Sequence, residues 1–270
     1  MLESLRMYSI RYAILLVLLF PLLGSAQKPQ TTAPEANPYL REAAITQTEG
    51  MIHIAANSPR PLEQILDALR QKYGWLVDYE DPQYLSKLDI VERAGMNGMT
   101  LSLPVGGAFS VDVPAGTPAT APPPEDKTLQ LILDAYNQSK NPGRFGLRQN
   151  EGGSYAVVGI GAQNDKGKMS VQAPPLDLPI TLPTVQRSAT ETVKLICRTL
   201  SQRSRVQFTV GVTPRLLMDH KEVKVGGRKA QARTLLAQTL ESTGHTMYWR
   251  LLFDPSSKGY FLDIHAVQGK

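Results

Sequence analysis

The sequence predicts an α+β fold of two tandem βαββαββ domains, each with two helices packed on small mixed sheets. The first helix of each domain carries apolar residues at positions i, i+3, i+4 and i+7: Leu62, Ile65, Leu66 and Leu69, then Val193, Ile196, Cys197 and Leu200, 131 positions later. The second helices match at a spacing of 103 positions: Leu129, Ile132, Leu133 and Tyr136, then Ala232, Leu235, Leu236 and Thr239. We call residues 51–160 the first repeat and residues 178–267 the second repeat.

The N-terminus has the pattern of a secretory signal. Arg6 and Arg11 precede an apolar run at 13–23, and the small residues of 24–26 follow it. We predict that residues 1–26 are a signal peptide cleaved after Ala26, and that the chain is exported to the periplasm or secreted. The alternative is an uncleaved anchor, but the run is short against the roughly 20 apolar residues that span a bilayer. We expect no membrane span in the mature chain.

The remaining sequence divides by composition. Residues 27–50 are rich in Gln, Thr, Ala and Pro and are predicted to be a flexible lead-in, and residues 161–177 are predicted to be a linker between the two domains. The first repeat is longer because of two Pro- and Gly-containing insertions, 81–107 and 114–126, which we expect to be solvent-exposed loops.

Local signals place the elements of the first repeat. Pro61 suits the first turn of a helix and Gly74 suits the position just after its end. Short alternating or apolar segments predict strands at 51–54, 75–79, 109–113, 145–149 and 155–160. The last two strands flank a turn at 150–153, so they should form a hairpin.

The second repeat is more compact. Ser188 and Glu191 have the spacing of a capping box, which predicts the start of its first helix. Strands are predicted at 206–210 and 222–225, the second helix should end near Gly244, and a hairpin should join 247–253 to 260–267.

This order of elements resembles the short N-terminal domain shared by secretins and TonB-dependent receptors. The segments that carry the resemblance are 61–69, 77–79 and 128–133 in the first repeat and 189–193, 206–208 and 232–236 in the second. The resemblance implies helices packed against small sheets and a role in periplasmic protein–protein contact, in secretion or signal relay. Because no barrel or secretin core follows in this sequence, we expect a freestanding adaptor.

No catalytic, cofactor-binding or metal-binding residues are predicted. Cys197 is the only cysteine and lies on the apolar face of its helix, which indicates a small buried side chain rather than a nucleophile. The four histidines, His53, His220, His245 and His265, show no metal-type spacing. Ser154 lacks the Gly-x-Ser-x-Gly frame of a nucleophile elbow.

Charge is unevenly divided between the repeats. Residues 27–176 hold 13 basic and 16 acidic side chains, whereas residues 177–270 hold 14 and 7. We predict a partner-binding face on the second repeat, formed by Arg203, Arg205, Lys221, Lys224, Arg228, Lys229 and Arg233. Residues 226–229 precede a helix N-terminus, where free N–H groups favour anions. The alternative is an ordinary solvated basic surface.

Together these features predict a non-enzymatic docking or adaptor module of the cell envelope. The expected partner is an envelope protein, acidic in character, reached through the basic face or a free sheet edge, with an anionic lipid or polymer as alternatives. Export and the lack of base-stacking aromatic residues in the basic stretches disfavour nucleic acid. The alternative class is a cell-envelope hydrolase or ligand-binding enzyme with a site built from loops.

Overall fold

The computed structural model describes residues 42–94, 100–118 and 121–267. Its five α-helices are α1 Pro61–Tyr73, α2 Glu125–Gln138, α3 Ala189–Ser204, α4 Arg215–Met218 and α5 Ala232–Glu241. Its strands are β1 Ala44–Thr48, β2 Met51–Asn57, β3 Val77–Glu80, β4 Ile90–Ala94, β5 Thr100–Pro104, β6 Ala108–Pro114, β7 Arg144–Gln149, β8 Tyr155–Gln163, β9 Met169–Val171, β10 Pro179–Ser188, β11 Phe208–Val210, β12 Glu222–Gln231, β13 Met247–Asp254 and β14 Gly259–Ala266. The predicted signal peptide, 1–26, lies outside the described residues, as do residues 27–41 of the predicted lead-in.

The two repeats have the same order of elements, which confirms the predicted fold class. The first runs β2, α1, β3, β6, α2, β7 and β8, with β4 and β5 inserted after β3. The second runs β10, α3, β11, β12, α5, β13 and β14, with the short α4 inserted after β11. Each repeat has its own hydrophobic cluster, in which its two long helices pack between a small sheet and part of a larger one.

The predicted helix boundaries follow from local chemistry. Pro61 occupies the first turn of α1, and Gly74 ends that helix with φ at +76°, a left-handed conformation that favours glycine. Ser188 and Glu191 form the predicted capping box at the start of α3. The turn between β7 and β8 is also confirmed, since Asn150 N donates to Ser154 O over 2.8 Å.

The large sheets of the two repeats join edge to edge. The strand order is β11-β14-β13-β3-β8-β7, and β9 adds to β8 as a seventh strand. The joint is the parallel pair of β13 and β3, which matches Arg250 with Tyr79 and Leu251 with Glu80. The predicted small sheets are present, and the two repeats also contribute strands to one shared seven-stranded sheet within one compact unit.

The second repeat is turned over relative to the first. Trp249, Leu251 and Phe253 of β13 belong to the cluster of the second repeat, whereas Val77 and Tyr79 of β3 belong to that of the first. Neighbouring residues in paired strands point to the same face, and successive residues point to opposite faces. The register above therefore places the helices of the two repeats on opposite faces of the shared sheet.

Three predicted loop regions contain regular structure. The lead-in contains β1, which pairs antiparallel with β2. The insertion at 81–107 contains the antiparallel pair of β4 and β5 and begins with buried residues, including Asp81 and Tyr84. The predicted linker, 161–177, contains the end of β8, all of β9 and a 3-10 turn at Pro175–Asp177. The described residues of these segments pair with neighbouring strands or bury side chains between the repeats.

Candidate functional site

The structure places six of the seven predicted partner-binding residues at the surface of the second repeat. Arg203 and Arg205 lie at the end of α3, Lys221 and Lys224 near the start of β12, and Arg228 and Lys229 further along β12; all six are exposed. Among the residues that the structure describes, none of these six forms an ion pair. Their charge is therefore available to solvent or to a partner.

Strand alternation explains the exposure of the charges on β12. Val223 and Val225 point into the core of the second repeat, so Lys224 between them points to solvent. Lys224 lies opposite Gln186 of β10 in the two-stranded outer sheet. The outer surface of this sheet thus carries part of the exposed positive charge of the second repeat.

Near the predicted anion-binding helix N-terminus, two backbone donors are used within the fold. Residues 226–229 belong to β12, and the amide of Lys229 donates to Thr181 Oγ1 over 3.1 Å. The amide of Ala232, the first residue of α5, donates to Leu178 O over 3.1 Å. These donors are used within the fold because β12 continues up to the start of the helix.

The prediction that Arg233 belongs to the partner-binding face is wrong. Arg233 is only 6% exposed and links the two repeats. Its guanidinium donates to both carboxylate oxygens of Glu80 on β3, and its Nε lies 3.0 Å from Asp177 Oδ1. Burial lowers the pKa of Arg233, but the charges of Glu80 and Asp177 raise it above its ordinary value. Arg233 is therefore unavailable to a partner.

Asp81, just after β3, extends the joint between the repeats. Its Oδ2 accepts from Arg60 Nε over 2.7 Å and from the amide of Phe253 over 3.0 Å, and its Oδ1 accepts from Tyr79 Oη over 2.8 Å. Arg60 also donates from Nη2 to Phe253 O over 2.7 Å. A side-chain carboxylate thus satisfies the β13 amide just past the short β3–β13 ladder.

Asp78 plays the same part at the other end of the ladder. Its Oδ1 accepts from the amide of Trp249 over 3.0 Å, and its Oδ2 accepts from Asn150 Nδ2 over 2.9 Å. Burial raises the pKa of Asp78 well above its ordinary value, and the charge of Glu80 adds to the effect. In the described part of the chain, Asp78 has no ion-pair partner.

A third set of contacts crosses on the opposite face of the sheet. Arg250 of β13 donates from Nη1 to Glu63 over 2.8 Å and from Nη2 to Asp67, and both acids lie on α1. Arg70 of α1 stacks its guanidinium 3.6 Å from the ring centre of Tyr248. Helix α1 of the first repeat therefore covers β13 of the second.

A cavity of about 250 Å³ lies beside Asp78, between the β7–β8 turn of the first repeat and α5 and β13 of the second. Its lining includes Asp78, Asn150, Trp249, Glu241 and His245. Sequence reasoning missed this cavity because it is created by the contact between the repeats, which no local pattern reports.

The histidines do not converge. His53 pairs with Asp112 over 2.8 Å at the surface, and His220 and His245 are exposed. His265 stacks on Tyr248, and burial lowers its pKa. Within the described ranges there is no group of three or more His, Cys, Asp or Glu residues suited to hold a metal ion.

The predicted burial of Cys197 is confirmed. It is 2% exposed on the core face of α3, and burial raises its pKa to about 12. A thiol with this pKa is not a nucleophile near neutral pH. Trp75 and Trp249 both lie in the cores.

The outer edges of the large sheet are partly closed by side chains. Ser201 Oγ accepts from the amide of Phe208 on β11 over 2.8 Å. On β7, Asn137 accepts from the Phe145 amide over 2.9 Å and donates to its carbonyl over 2.8 Å. By alternation, Leu147 and Gln149 of β7 direct their backbone groups outward. This edge is therefore open over only a short stretch.

No family model, no curated protein and no solved structure matches this chain. The resemblance to the short N-terminal domain of secretins and TonB-dependent receptors therefore stays a prediction. In the ranges that the structure describes, none of the helices combines the length and apolar character needed to cross a membrane.

Proposed function

We propose that this chain is an exported, non-catalytic docking module that binds an acidic partner protein through the basic face of its second repeat. The observation that carries the proposal is the contrast between two sets of charges. The arginines at the joint, Arg60, Arg233 and Arg250, are paired within the fold, whereas six exposed basic residues of the second repeat lack an ion-pair partner among the described residues. Uncompensated charge of one sign attracts and orients partners of the opposite sign.

The basic face is a better docking surface than the outer edges of the large sheet. Asn137 and Ser201 already occupy backbone groups of the two outer strands, and β11 is only three residues long. Short and covered edges are the usual protection against strand addition. An acidic partner is therefore expected to bind through side-chain charges.

The test uses a fluorescein-labelled synthetic peptide rich in Asp and Glu, with binding followed by fluorescence anisotropy. We expect binding at low salt that weakens as salt is added, since exposed charges are screened. The double variant Arg228→Glu, Lys229→Glu should weaken binding by about tenfold or more. The matched control Lys127→Glu, Lys140→Glu makes the same charge change at exposed sites of the first repeat and should bind like the wild type.

Equal binding by the two double variants would contradict the proposal, as would the absence of binding at low salt. Tight binding to phosphatidylglycerol vesicles without binding to the peptide would contradict an acidic protein as the partner and would indicate a membrane surface. The export part has its own test, because N-terminal sequencing of protein recovered outside the cytoplasm should begin at Gln27. A sequence beginning at Met1 would refute cleavage.

A further inference from the structure

The cavity beside Asp78 has a polar floor and apolar walls. Asp78 and Trp249 are 4% and 3% exposed, whereas Glu241, His245 and Thr246 at the rim are exposed. The apolar residues of the lining are Leu76, Leu240, Met247 and Trp249. Both repeats contribute to the lining, so the cavity exists only when they are joined.

The buried polar atoms of the lining include acceptors on Asp78 and Asn150 and one donor, the indole Nε1 of Trp249. In its ionised form, Asp78 keeps free lone pairs on both oxygens beside its two protein hydrogen bonds, because a carboxylate can accept about four. Asn150 Oδ1 is buried and has no partner among the described residues. The carboxylate of Glu241, at the rim, is a third acceptor after those of Asp78 and Asn150. A ligand that pairs with Asp78 and Asn150 must therefore bring donors.

The charge of the Asp78 carboxylate narrows the class of ligand further. A buried carboxylate without a cation is unfavourable, and a bound cation would compensate it. A metal ion is a poor candidate for this cation, since the described residues contain no group of three or more suitable ligands. An ammonium group has three donors and no acceptor, and an attached alkyl stem suits the apolar walls.

We propose that this cavity binds a primary ammonium group on a short alkyl chain, either as a free alkylamine or as a lysine side chain. The ammonium would donate to Asp78 and Asn150 on the floor, and the stem would lie against Leu240 and Trp249. This site is separate from the basic face of the second repeat and does not depend on the docking proposal.

The test is an NMR titration of the ¹⁵N-labelled protein at neutral pH. The reporters are the indole N–H of Trp249 and the side-chain amide of Asn150. The probes are n-butylamine and Nα-acetyl-lysine methylamide, with 1-butanol and Nα-acetyl-norleucine methylamide as neutral controls. We expect saturable chemical-shift changes with the amines. The neutral controls should bind at least about tenfold more weakly than the amines, because hydrogen bonds to a charged group are the stronger kind.

Two variants check the location. Asp78→Asn should weaken amine binding by about tenfold or more. Ala237→Leu fills the cavity without touching Asp78 and should also weaken binding, whereas Ala135→Leu on α2 of the first repeat is the control and should not. The folding of every variant is checked by circular dichroism.

The outcomes separate the two sources of the ammonium. Comparable binding of both probes indicates free amines as ligands, and tighter binding of the lysine derivative indicates a lysine side chain. Equal affinity for amine and neutral control would overturn the proposal. So would unchanged binding in both Asp78→Asn and Ala237→Leu, or the absence of saturable shifts in the folded wild type.

Discussion

Arg233 on α5 of the second repeat binds Glu80 on β3 of the first through two hydrogen bonds, with Nη2 3.0 Å from Oε2. Both residues are buried, at 6% and 0% exposure. Arg233 also binds Asp177, which lies between the repeats in sequence. This pair fixes the second repeat against the shared sheet and explains why a residue predicted to meet a partner is instead internal.

Removing Arg233 should strongly destabilise the protein. Arg233→Met leaves Glu80 buried without its cation, and loss of one partner from a buried pair costs about 3–5 kcal/mol of unfolding free energy. Urea unfolding measures the change. The control Arg228→Met removes an exposed arginine and should stay within about 0.5 kcal/mol of the wild type. Equal effects of the two variants would contradict the internal role of Arg233.

Removing both charges should recover much of that loss. In Arg233→Met, Glu80→Leu, no charge of the Arg233–Glu80 pair remains, and apolar replacements of buried pairs are often tolerated. We expect the double variant to be more stable than Arg233→Met alone in the same urea experiment. If the two losses simply added, the side chains would not be coupled.

Asp78 should make stability depend on pH in a defined direction. Burial raises its pKa in the folded protein above the ordinary 3.8, so the folded state retains the proton to higher pH than the unfolded chain. The stabilisation is complete below the ordinary pKa and is lost as the pH rises through the folded-state pKa. The unfolding free energy of the wild type, relative to Asp78→Asn, should therefore fall as the pH rises above the ordinary pKa of 3.8. A constant difference would refute this.

Cys197 should be protected from thiol reagents in the native state. It is buried, and its pKa of about 12 keeps the thiol protonated near neutral pH. Reaction with Ellman's reagent should be slow in buffer and rapid in concentrated urea. Similar rates in both conditions would show that the core around α3 is open.

The capping box of α3 should contribute measurably to stability. Ser188 Oγ accepts from the Glu191 amide over 3.1 Å, so Ser188→Ala leaves that amide without its cap. We expect a loss of about 1 kcal/mol in unfolding free energy. Ser110→Ala, at an exposed position on β6, serves as the control and should have little effect. An equal loss in both variants would argue against the cap.

The helices and the duplicated element order could be predicted because they follow from local periodicity. The stripe from Leu62 to Leu69 and the one from Val193 to Leu200 are each buried as one helix face. Pro61, Gly74 and Ser188 mark helix ends for reasons internal to each segment. Such signals need no knowledge of the rest of the chain.

The joint between the repeats could not be predicted, because its signals lie far apart in sequence. Asp78 and Glu80 alternate with Val77 and Tyr79, which is the pattern of a strand with one solvated face. That face is instead covered by α5 of the second repeat, and Arg233 compensates Glu80. The charges of the joint therefore look like surface charges until the two repeats are brought together.

Hydrogen exchange at increasing urea concentration tests most directly that the two repeats form one unit joined at β3 and β13. Mass spectrometry would follow peptides that contain β3 and α2 of the first repeat and β13 and α3 of the second. We predict that the global opening of all four occurs at one urea midpoint, because the joint buries charges that separation would leave unpaired. Two distinct midpoints, one for each repeat, would contradict the account.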